Sequence, residues 1–378
     1  MPPISVLMKP ASGLCNMKCD YCFYCDEAAK REQESYGLMS EETLRNVIRR
    51  TLLRAEGFIT YAFQGGEPTL RGLDFFQKVI AYEQQYNKAG IRVSNALQTN
   101  GYGINEDWCQ FLREHHFLVG VSVDGVRETH DMYRHGKDGS PTFDRVLHAT
   151  ALFDRYGVDY NILTVVNQNV VARVAEIYAF FKERGWYYQQ YIACLDPLDE
   201  KRGQNEYALT PEQYGEFLVT LFKLWYADWK RGDAPCIREF ENYIGLLLGY
   251  CPEACNQRGV CSIQYVVEAD GSVYPCDFYM LDEYRLGNLN EDRLDRIIER
   301  GRESGFVERS MKLTEECRSC DYFGLCRGGC QRNRDFDEAS GLYRNYFCES
   351  YRRLFEACLP QMEEVAEAVR RGERRSVR

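Results

Sequence analysis

The chain has 378 residues, which is enough for one large domain or two smaller ones with a substantial core. Its net charge of −10 argues against nonspecific binding to nucleic acid or to anionic membranes, because both require a basic surface. The sequence has no apolar run of about 18 residues and no N-terminal signal peptide. We therefore expect a cytoplasmic protein without a membrane span.

Cysteine is the most informative residue type, with 17 in the chain. An odd and large number in a cytosolic protein is poor evidence for disulfides, because the cytosol keeps thiols reduced. The five histidines do not interleave with the cysteine clusters. Metal sites built from cysteine alone are therefore favoured over mixed zinc sites.

Six short β-rich runs recur in the first half of the chain, beginning at Ile4, Phe58, Arg92, Phe117, Asp159 and Tyr187. Between them lie segments with helical periodicity, at 41–55, 73–88, 106–114, 143–156 and 170–184. This alternation predicts parallel β/α units, and six units predict an α/β fold with an open or partial barrel of the TIM type. Chemistry in such folds lies at the carboxyl ends of the strands.

The character of the chain changes after these units. Residues 211–249 are helical and aromatic, whereas cysteines, glycines and turns dominate from Cys251 to Cys348. This cysteine-rich stretch has too thin a core to fold alone, so bound metal should supply folding free energy. We predict a barrel domain with connecting helices over 1–235, a cysteine-rich domain over 236–348, and a C-terminal helix and tail over 349–378.

Cys15, Cys19 and Cys22 form a C-x3-C-x2-C motif directly after the first predicted strand. Three thiolates at this spacing can hold three irons of a 4Fe–4S cube and leave the fourth iron open to a substrate. With Tyr21 before the last cysteine, the motif resembles the signature of the radical S-adenosylmethionine superfamily. A zinc knuckle completed by Cys25 is the alternative interpretation.

The second motif, Gly65-Gly66-Glu67-Pro68, ends the second predicted strand. Glycines allow a ligand to approach the backbone closely, although an ordinary turn needs the same residues. In the superfamily that the chain resembles, this element holds the methionine amine of S-adenosylmethionine. Gln64, just before it, matches a position that the family places near cofactor and substrate.

Residues near the ends of later units complete the predicted cofactor site. Asn100 and Ser122 would line the ribose and carboxylate region. Arg134 would pair with a carboxylate, and Leu195 would pack on the adenine. Tyr24, close to Cys22, is a candidate for packing on cofactor or substrate. Ordinary turn, cap or core roles are the alternative for all five residues.

The last part of the chain carries eight further cysteines in a dense array, enough for two fully ligated 4Fe–4S clusters. The array resembles the SPASM domain, an auxiliary-cluster module of peptide-modifying radical enzymes. That resemblance implies one cluster on Cys255, Cys261, Cys276 and Cys330, and another on Cys317, Cys320, Cys326 and Cys348. A zinc ribbon is the alternative, and Cys25 and Cys251 lie close enough in sequence to be ligands instead.

The whole chain resembles the anaerobic sulfatase-maturating enzymes, most clearly in MKPASGLCNMKCDYCFY, YAFQGGEPTLRGLDFF and VVEADGSVYPCDFYMLDEYRLGN. The family oxidises a cysteine or serine of an unfolded sulfatase segment, within a C/S-x-P/A-x-R motif, to Cα-formylglycine. The resemblance implies that a 5′-deoxyadenosyl radical takes hydrogen from the target Cβ. It also implies that Asp277, directly after Cys276, is the base, and that an auxiliary cluster accepts the second electron. A residue that forms a turn or holds Cys276 in place is the alternative role for Asp277. A low-potential donor such as ferredoxin or flavodoxin would supply reducing electrons.

A second interpretation keeps the same cofactors but changes the product. Other radical enzymes with SPASM domains install thioether or carbon–carbon crosslinks in ribosomally made peptides. Those enzymes often carry an N-terminal peptide-recognition domain, which the 14 residues before Cys15 could not form. A purely electron-transferring or zinc-binding protein is a third interpretation. An open iron beside a cofactor-binding loop argues against it, because an electron carrier needs neither.

Overall fold

The computed structural model describes residues 4–373 as fourteen strands and fifteen α-helices. The strands are β1 Ile4–Met8, β2 Met17–Cys19, β3 Phe58–Phe63, β4 Arg92–Thr99, β5 Leu118–Ser122, β6 Arg134–Gly136, β7 Tyr160–Val166, β8 Tyr188–Ala193, β9 Cys236–Ile237, β10 Val266–Val267, β11 Ser272–Tyr274, β12 Gly287–Asn288, β13 Arg334–Asp337 and β14 Leu342–Asn345. The helices are α1 Phe23–Ala29, α2 Glu41–Leu52, α3 Leu73–Tyr86, α4 Glu106–Glu114, α5 Arg127–Tyr133, α6 Phe143–Tyr156, α7 Gln168–Ala172, α8 Val174–Glu183, α9 Pro211–Arg231, α10 Arg238–Leu247, α11 Leu294–Glu303, α12 Phe306–Arg309, α13 Glu315–Arg318, α14 Phe323–Cys326 and α15 Cys348–Arg370.

The chain divides into two compact units that alternate along the sequence. The first unit contains the described residues up to Ser122, together with Asp131–Tyr160 and Ile263–Phe306. The second unit contains Val123–His130, Asn161–Ser262 and the described residues from Val307 onward. The predicted domain boundaries, at 235/236 and 348/349, divide the chain into sequence modules, and they stay a prediction.

The first unit is organised around a parallel sheet in which β1, β3, β4 and β5 are successive neighbours. Phe63 of β3, Phe76 of α3 and Phe117 before β5 pack together on this sheet, with ring centroids of the first pair 5.0 Å apart. Helix α2 begins at Ser40, whose side chain accepts a hydrogen bond from the Thr43 amide and caps the helix. The predicted parallel β/α units are therefore confirmed in this unit.

A late segment of the chain adds to the same sheet beside β1. Val266 of β10 pairs with Leu7 of β1 in parallel, and β11 and β12 continue the sheet in antiparallel pairing. The sequence did not predict these three short strands, because two- and three-residue runs carry almost no periodic signal. Their effect is to bring the residues that follow β11 to the edge where β1 ends.

The second unit contains the parallel strands β7, β8 and β9 and the longest helices. Helix α9 begins with a capping box, in which Thr210 and Gln213 exchange side-chain-to-backbone hydrogen bonds. It packs on α15, and the Ser350 hydroxyl of α15 donates to the Pro211 carbonyl at 2.6 Å. The predicted C-terminal helix is confirmed as α15, whereas the tail after residue 373 lies outside the described residues.

All six predicted strands are confirmed, as β1, β3, β4, β5, β7 and β8. The predicted helices are confirmed too, although the segment at 170–184 is divided between α7 and α8 at Arg173. Among residues 4–373, no helix is both long enough and apolar enough to span a lipid bilayer.

Candidate functional site

Cys15, Cys19 and Cys22 lie on one loop that follows β1, and all three are half-buried. The short strand β2 ends at Cys19 and pairs with β6, so that Cys19 lies opposite Arg134. Burial raises the pKa of Cys15 to about 11, and the charge of Cys22 contributes to this rise. The structure therefore brings the three predicted cluster ligands together in the first unit.

Cys25 is close to the same three thiols. Its hydrogen bond with Cys22 lowers the pKa of Cys22 to about 6 and raises that of Cys25, and the charges of Cys15 and Cys19 raise the latter further. Among residues 4–373, no three His, Cys, Asp or Glu side chains are grouped to hold a single metal ion. The donor set of this loop fits an iron–sulfur cube, in which each cysteine binds a different iron.

Backbone hydrogen bonds attach the Gly65-Gly66-Glu67 segment to the loop that follows β1 and carries Cys15, Cys19 and Cys22, called the thiol loop below. The Gly66 amide donates to the Ser12 carbonyl and the Glu67 amide donates to the Leu14 carbonyl, both at 2.8 Å. A Cβ atom added at Gly66 would lie 2.0 Å from the Leu14 carbonyl oxygen. Gly66 is therefore required for the two loops to approach each other, independently of any contact with a cofactor.

The carboxylate of Glu67 is fully buried and receives four hydrogen bonds from the chain itself. The Thr69 amide and hydroxyl donate to it at 3.0 and 2.6 Å, the Thr99 hydroxyl at 2.9 Å, and the Asn100 amide at 2.8 Å. Burial raises its pKa, while these hydrogen bonds act in the opposite direction. Glu67 therefore links the segment after β3 to the end of β4, and its carboxylate is already hydrogen-bonded within the protein.

Asn100, predicted to contact the cofactor, lies against the thiol loop. Its side-chain amide donates to the Asn16 side-chain oxygen at 2.8 Å and approaches the Cys15 sulfur at 3.6 Å. The Met17 amide also donates to the Cys15 sulfur, at 3.4 Å. Two N–H groups thus face this sulfur, and such donors stabilise the thiolate that a metal requires.

The other predicted cofactor residues differ in their surroundings. Ser122 ends β5, and its hydroxyl accepts a hydrogen bond from the Gln98 side chain at 3.2 Å. The Arg134 guanidinium lies 3.8 Å from the Cys19 sulfur and over the Tyr21 ring, 5.5 Å from its centroid. Leu195 belongs to the second unit, where it is half-buried two residues after β8.

Asp277, which follows Cys276, is held by three polar side chains from distant parts of the first unit. The buried ammonium of Lys9 forms an ion pair with Oδ1 of Asp277. Oδ2 accepts hydrogen bonds from the Tyr24 hydroxyl at 2.6 Å and from the Gln64 side-chain amide at 3.2 Å. Lys9 also lies 3.4 Å from the centroid of the Tyr24 ring, a cation–π contact.

These contacts change the interpretation of Tyr24 and add a residue that the sequence argument missed. Tyr24 holds Asp277 through its hydroxyl, and burial together with Asp277 raises the pKa of Tyr24 well above its ordinary value. Lys9 directly follows β1, at the strand end where the first unit collects its polar groups. A lysine immediately after a buried strand was the available signal, because a buried ammonium needs an anionic partner.

The C-terminal cysteines form two groups within the second unit. Four of them line a cavity of about 280 Å3: Cys317, Cys320, Cys326 and Cys348. In the other group, burial and then the charges of Cys255 and Cys261 raise the pKa of Cys330 to about 12. These groups agree with the predicted division, and the donor sets fit 4Fe–4S clusters. Cys276, the remaining predicted ligand, follows β11 in the first unit.

Comparison with known proteins gives two family matches. The Radical SAM superfamily model matches residues 10–181, and the SPASM model, described as an iron–sulfur cluster-binding domain, matches residues 255–321. A cysteine-type anaerobic sulfatase-maturating enzyme of Clostridium perfringens is 44% identical over 98% of this chain and 100% of its own length. A serine-type anaerobic sulfatase-maturating enzyme of Bacteroides thetaiotaomicron is 31% identical over 96% of this chain and 91% of its own.

A solved structure described as native anSMEcpe with bound AdoMet and Cp18Cys peptide matches with a TM-score of 0.92 and 44% identity. The match covers 97% of this chain and 100% of that one. These matches confirm the predicted fold, a partial parallel barrel combined with a SPASM iron–sulfur domain. The chain belongs to the anaerobic sulfatase-maturating enzymes of the radical S-adenosylmethionine superfamily.

Proposed function

We propose that this enzyme oxidises a cysteine in an unfolded sulfatase segment to Cα-formylglycine, with serine as the poorer substrate. Cysteine-type relatives are 44% and 41% identical to the chain, whereas the serine-type relatives are 31% identical. The solved structure described as native anSMEcpe holds AdoMet and a peptide in a chain of the same fold. A peptide segment is thus the substrate class that these similarities support.

The thiol loop would hold the catalytic cluster through Cys15, Cys19 and Cys22. When bound, this cluster and S-adenosylmethionine supply the 5′-deoxyadenosyl radical that takes a hydrogen atom from the substrate Cβ. The residues proposed to contact the cofactor or substrate are Tyr24, Gln64, Gly65, Gly66, Glu67, Asn100, Ser122, Arg134 and Leu195. For Glu67 and Asn100, the hydrogen bonds described above support a role in fixing the loops that a cofactor would meet.

The arrangement around Asp277 is the observation that carries the proposal. Oxidation of a thiol to an aldehyde requires a base that accepts the thiol proton beside the reacting carbon. Asp277 offers a carboxylate held by Lys9 on one oxygen and by Tyr24 and Gln64 on the other. Three donors from three different segments fix its orientation, which is what a general base needs before substrate arrives.

We further propose that the reaction takes place in the cytosol and that a low-potential protein such as ferredoxin or flavodoxin supplies electrons. The abundance of free cysteines supports a reducing compartment, because such thiols would be oxidised elsewhere.

The test is to incubate the anaerobically reconstituted enzyme with reductant, S-adenosylmethionine and a Cys-x-Pro-x-Arg peptide. We expect 5′-deoxyadenosine and a peptide about 18 Da lighter, because CH2–SH is oxidised to a thioaldehyde, which water hydrolyses to CHO with release of hydrogen sulfide. The matched serine peptide should lose about 2 Da, more slowly. A crosslinking enzyme would leave both peptides unchanged and remove two hydrogens from a different precursor.

Replacement of Asp277 tests the carboxylate itself. Asp277→Asn should preserve 5′-deoxyadenosine formation but lower aldehyde formation by roughly a hundredfold, within the range measured for loss of a general base. Asp270→Asn, an acidic residue of the same hairpin that binds Ser272, should behave like the unmodified enzyme. Full aldehyde yield from Asp277→Asn would remove this residue from the mechanism.

A further inference from the structure

Gln331 directly follows Cys330 and is 4% exposed. It begins a short 3-10 turn, Gln331–Asn333, in the second unit. Its side-chain oxygen lies 3.8 Å from the Cys261 sulfur, with the Cys261 thiol as donor. Its side-chain nitrogen, Nε2, has no hydrogen-bond partner among the residues that the structure describes. A buried amide N–H without an acceptor is uncommon and requires an explanation.

Ligation of a metal would change the partner of this amide. As a free thiol, Cys261 can donate to the amide oxygen. As an iron ligand it is a thiolate, which only accepts. An amide oxygen would then face a negatively charged sulfur, and rotation of the amide by half a turn would replace this repulsion with an N–H···S contact. The two orientations occupy the same space, because the oxygen and nitrogen of a glutamine amide are nearly equal in size.

The nearby arginine acts on the same cysteines through its charge. Arg334 is buried, and charge interactions link it to Cys261 and Cys330. Its three guanidinium nitrogens already donate to the backbone carbonyls of Gly328, Ser310 and Gly329 at 2.6–2.9 Å. Arg334 therefore contributes positive charge, whereas Gln331 has a side-chain N–H group without an acceptor.

We propose that the Gln331 side chain donates a hydrogen bond to a sulfur of the auxiliary cluster that the resemblance assigns to Cys255, Cys261, Cys276 and Cys330. The proposal rests on this predicted ligand set. Reduction makes the cluster more negative and strengthens an N–H···S bond, so the bond raises the reduction potential. Gln331 is thus a positioning residue that favours uptake of an electron by this cluster.

The unmodified enzyme provides the first test. Pulsed electron paramagnetic resonance of the reduced enzyme labelled with 15N in glutamine side chains should show a 15N coupling to one auxiliary cluster. The coupling should disappear in Gln331→Met, which keeps the volume and removes the N–H group. A clear cluster spectrum without this coupling in the unmodified enzyme would overturn the inference, even if the variant failed to assemble.

The reduction potential provides the second test, by titration without S-adenosylmethionine or peptide. Gln331→Met should make reduction of this cluster about tenfold less favourable, or ~59 mV for a one-electron couple. Gln257→Met is the matched control, because Gln257 is equally buried in the same unit but donates to the Glu239 carbonyl at 3.2 Å. Equal potentials in all three proteins would overturn the inference. Absence of this cluster from the unmodified enzyme would overturn the proposed ligation instead.

Discussion

The two regions that gather cysteines are built in different ways. In the first unit, the loop of Cys15, Cys19 and Cys22 is fixed by hydrogen bonds to Gly66, Glu67 and Asn100. In the second unit, four cysteines surround a cavity of about 280 Å3, and they come from the short helices α13 and α14, the turn between them and the first residue of α15. The first loop is hydrogen-bonded to the segments that follow β3 and β4, whereas the cysteines of the second group line a cavity.

This difference matches the number of ligands that the sequence predicts for each region. A cluster with three protein ligands keeps an open iron, so its loop must hold its shape without help from a fourth cysteine. A cluster with four protein ligands can itself join the segments that bind it, because metal binding supplies folding free energy. The comparison predicts that the loop of Cys15, Cys19 and Cys22 works only as a preformed site. The segment that carries Cys317, Cys320 and Cys326 should instead depend on its metal to be ordered.

The largest expected effect is the loss of cofactor cleavage when the cysteines of the first region are replaced. The triple variant of Cys15, Cys19 and Cys22 to Ala should contain about eight irons rather than about twelve, since one of three 4Fe–4S clusters is lost. It should form no 5′-deoxyadenosine, because no open iron remains. Cys109→Ala, which removes a fully buried thiol of the first unit, should keep both properties. Cofactor cleavage by the triple variant would contradict the assignment of the open cluster to this loop.

Removal of iron should disorder the second region more than the first. After anaerobic chelation, we expect amide hydrogen exchange to accelerate by roughly a hundredfold at 314–326, where cluster binding contributes folding free energy. Exchange in β1, β3 and β4 should change by less than about threefold, because backbone hydrogen bonds join these strands to one another. Mass spectrometry of peptides from both regions measures this ratio. Equal acceleration at 314–326 and in these strands would show that the sheet beneath the thiol loop also depends on metal for its structure.

A single methyl group should break the bracing of the first loop. Gly66→Ala places a Cβ 2.0 Å from the Leu14 carbonyl oxygen, so the two loops must separate. A displacement of about 1 Å at a reacting centre costs roughly a hundredfold in rate, and we expect such a loss in 5′-deoxyadenosine formation.

Gly13→Ala is the matched control for this substitution. A Cβ there would meet only the Ala28 methyl, at 4.0 Å, although Gly13 lies in the same thiol loop. Comparable loss in both variants would indicate that the loop tolerates no added atom and would not single out the contact between the two loops.

The sequence predicted the periodic part of this molecule well. Six strands and the intervening helices follow from apolar patterns that repeat over many residues. The thiol loop and the glycine segment were recognisable because iron ligation and close backbone approach each require particular residue types. Within the second unit, the C-terminal cysteines form groups with the members that the resemblance to SPASM domains implied, apart from Cys276, and their ligation of clusters stays a prediction.

Contacts between distant segments were beyond sequence reasoning. Lys9 and Asp277 are 268 positions apart and meet because β10 pairs with β1, a pairing of only two residues on each strand. Glu67 was predicted as part of the cofactor-binding element, and the sequence did not indicate that its carboxylate accepts hydrogen bonds from Thr69, Thr99 and Asn100. Such partners depend on the register between strands, which short segments specify weakly.

The smallest expected effect concerns the hydrogen bond from Tyr24 to Asp277. Tyr24→Phe removes one donor from a buried carboxylate but leaves Lys9 and Gln64 in place. Loss of a hydrogen bond to a charged group costs about 1.5–3 kcal/mol. A loss of about 1.4 kcal/mol in transition-state stabilisation lowers a rate tenfold, so aldehyde formation should fall about tenfold. Formation of 5′-deoxyadenosine should continue.

Tyr82→Phe is the matched control, because the Tyr82 hydroxyl also donates to a carboxylate at 2.6 Å, that of Glu41, but on the exposed surface. Burial and Asp277 raise the pKa of Tyr24 well above its ordinary value, so Tyr24 keeps its proton and remains a donor across neutral pH. The ratio of unmodified to Tyr24→Phe rates should therefore stay constant from about pH 6 to about pH 9, below the ordinary tyrosine pKa. A ratio that collapses toward one as the pH rises within this range would mean that Tyr24 loses its proton there. The carboxylate of Asp277 would then have one donor fewer than the structure gives it.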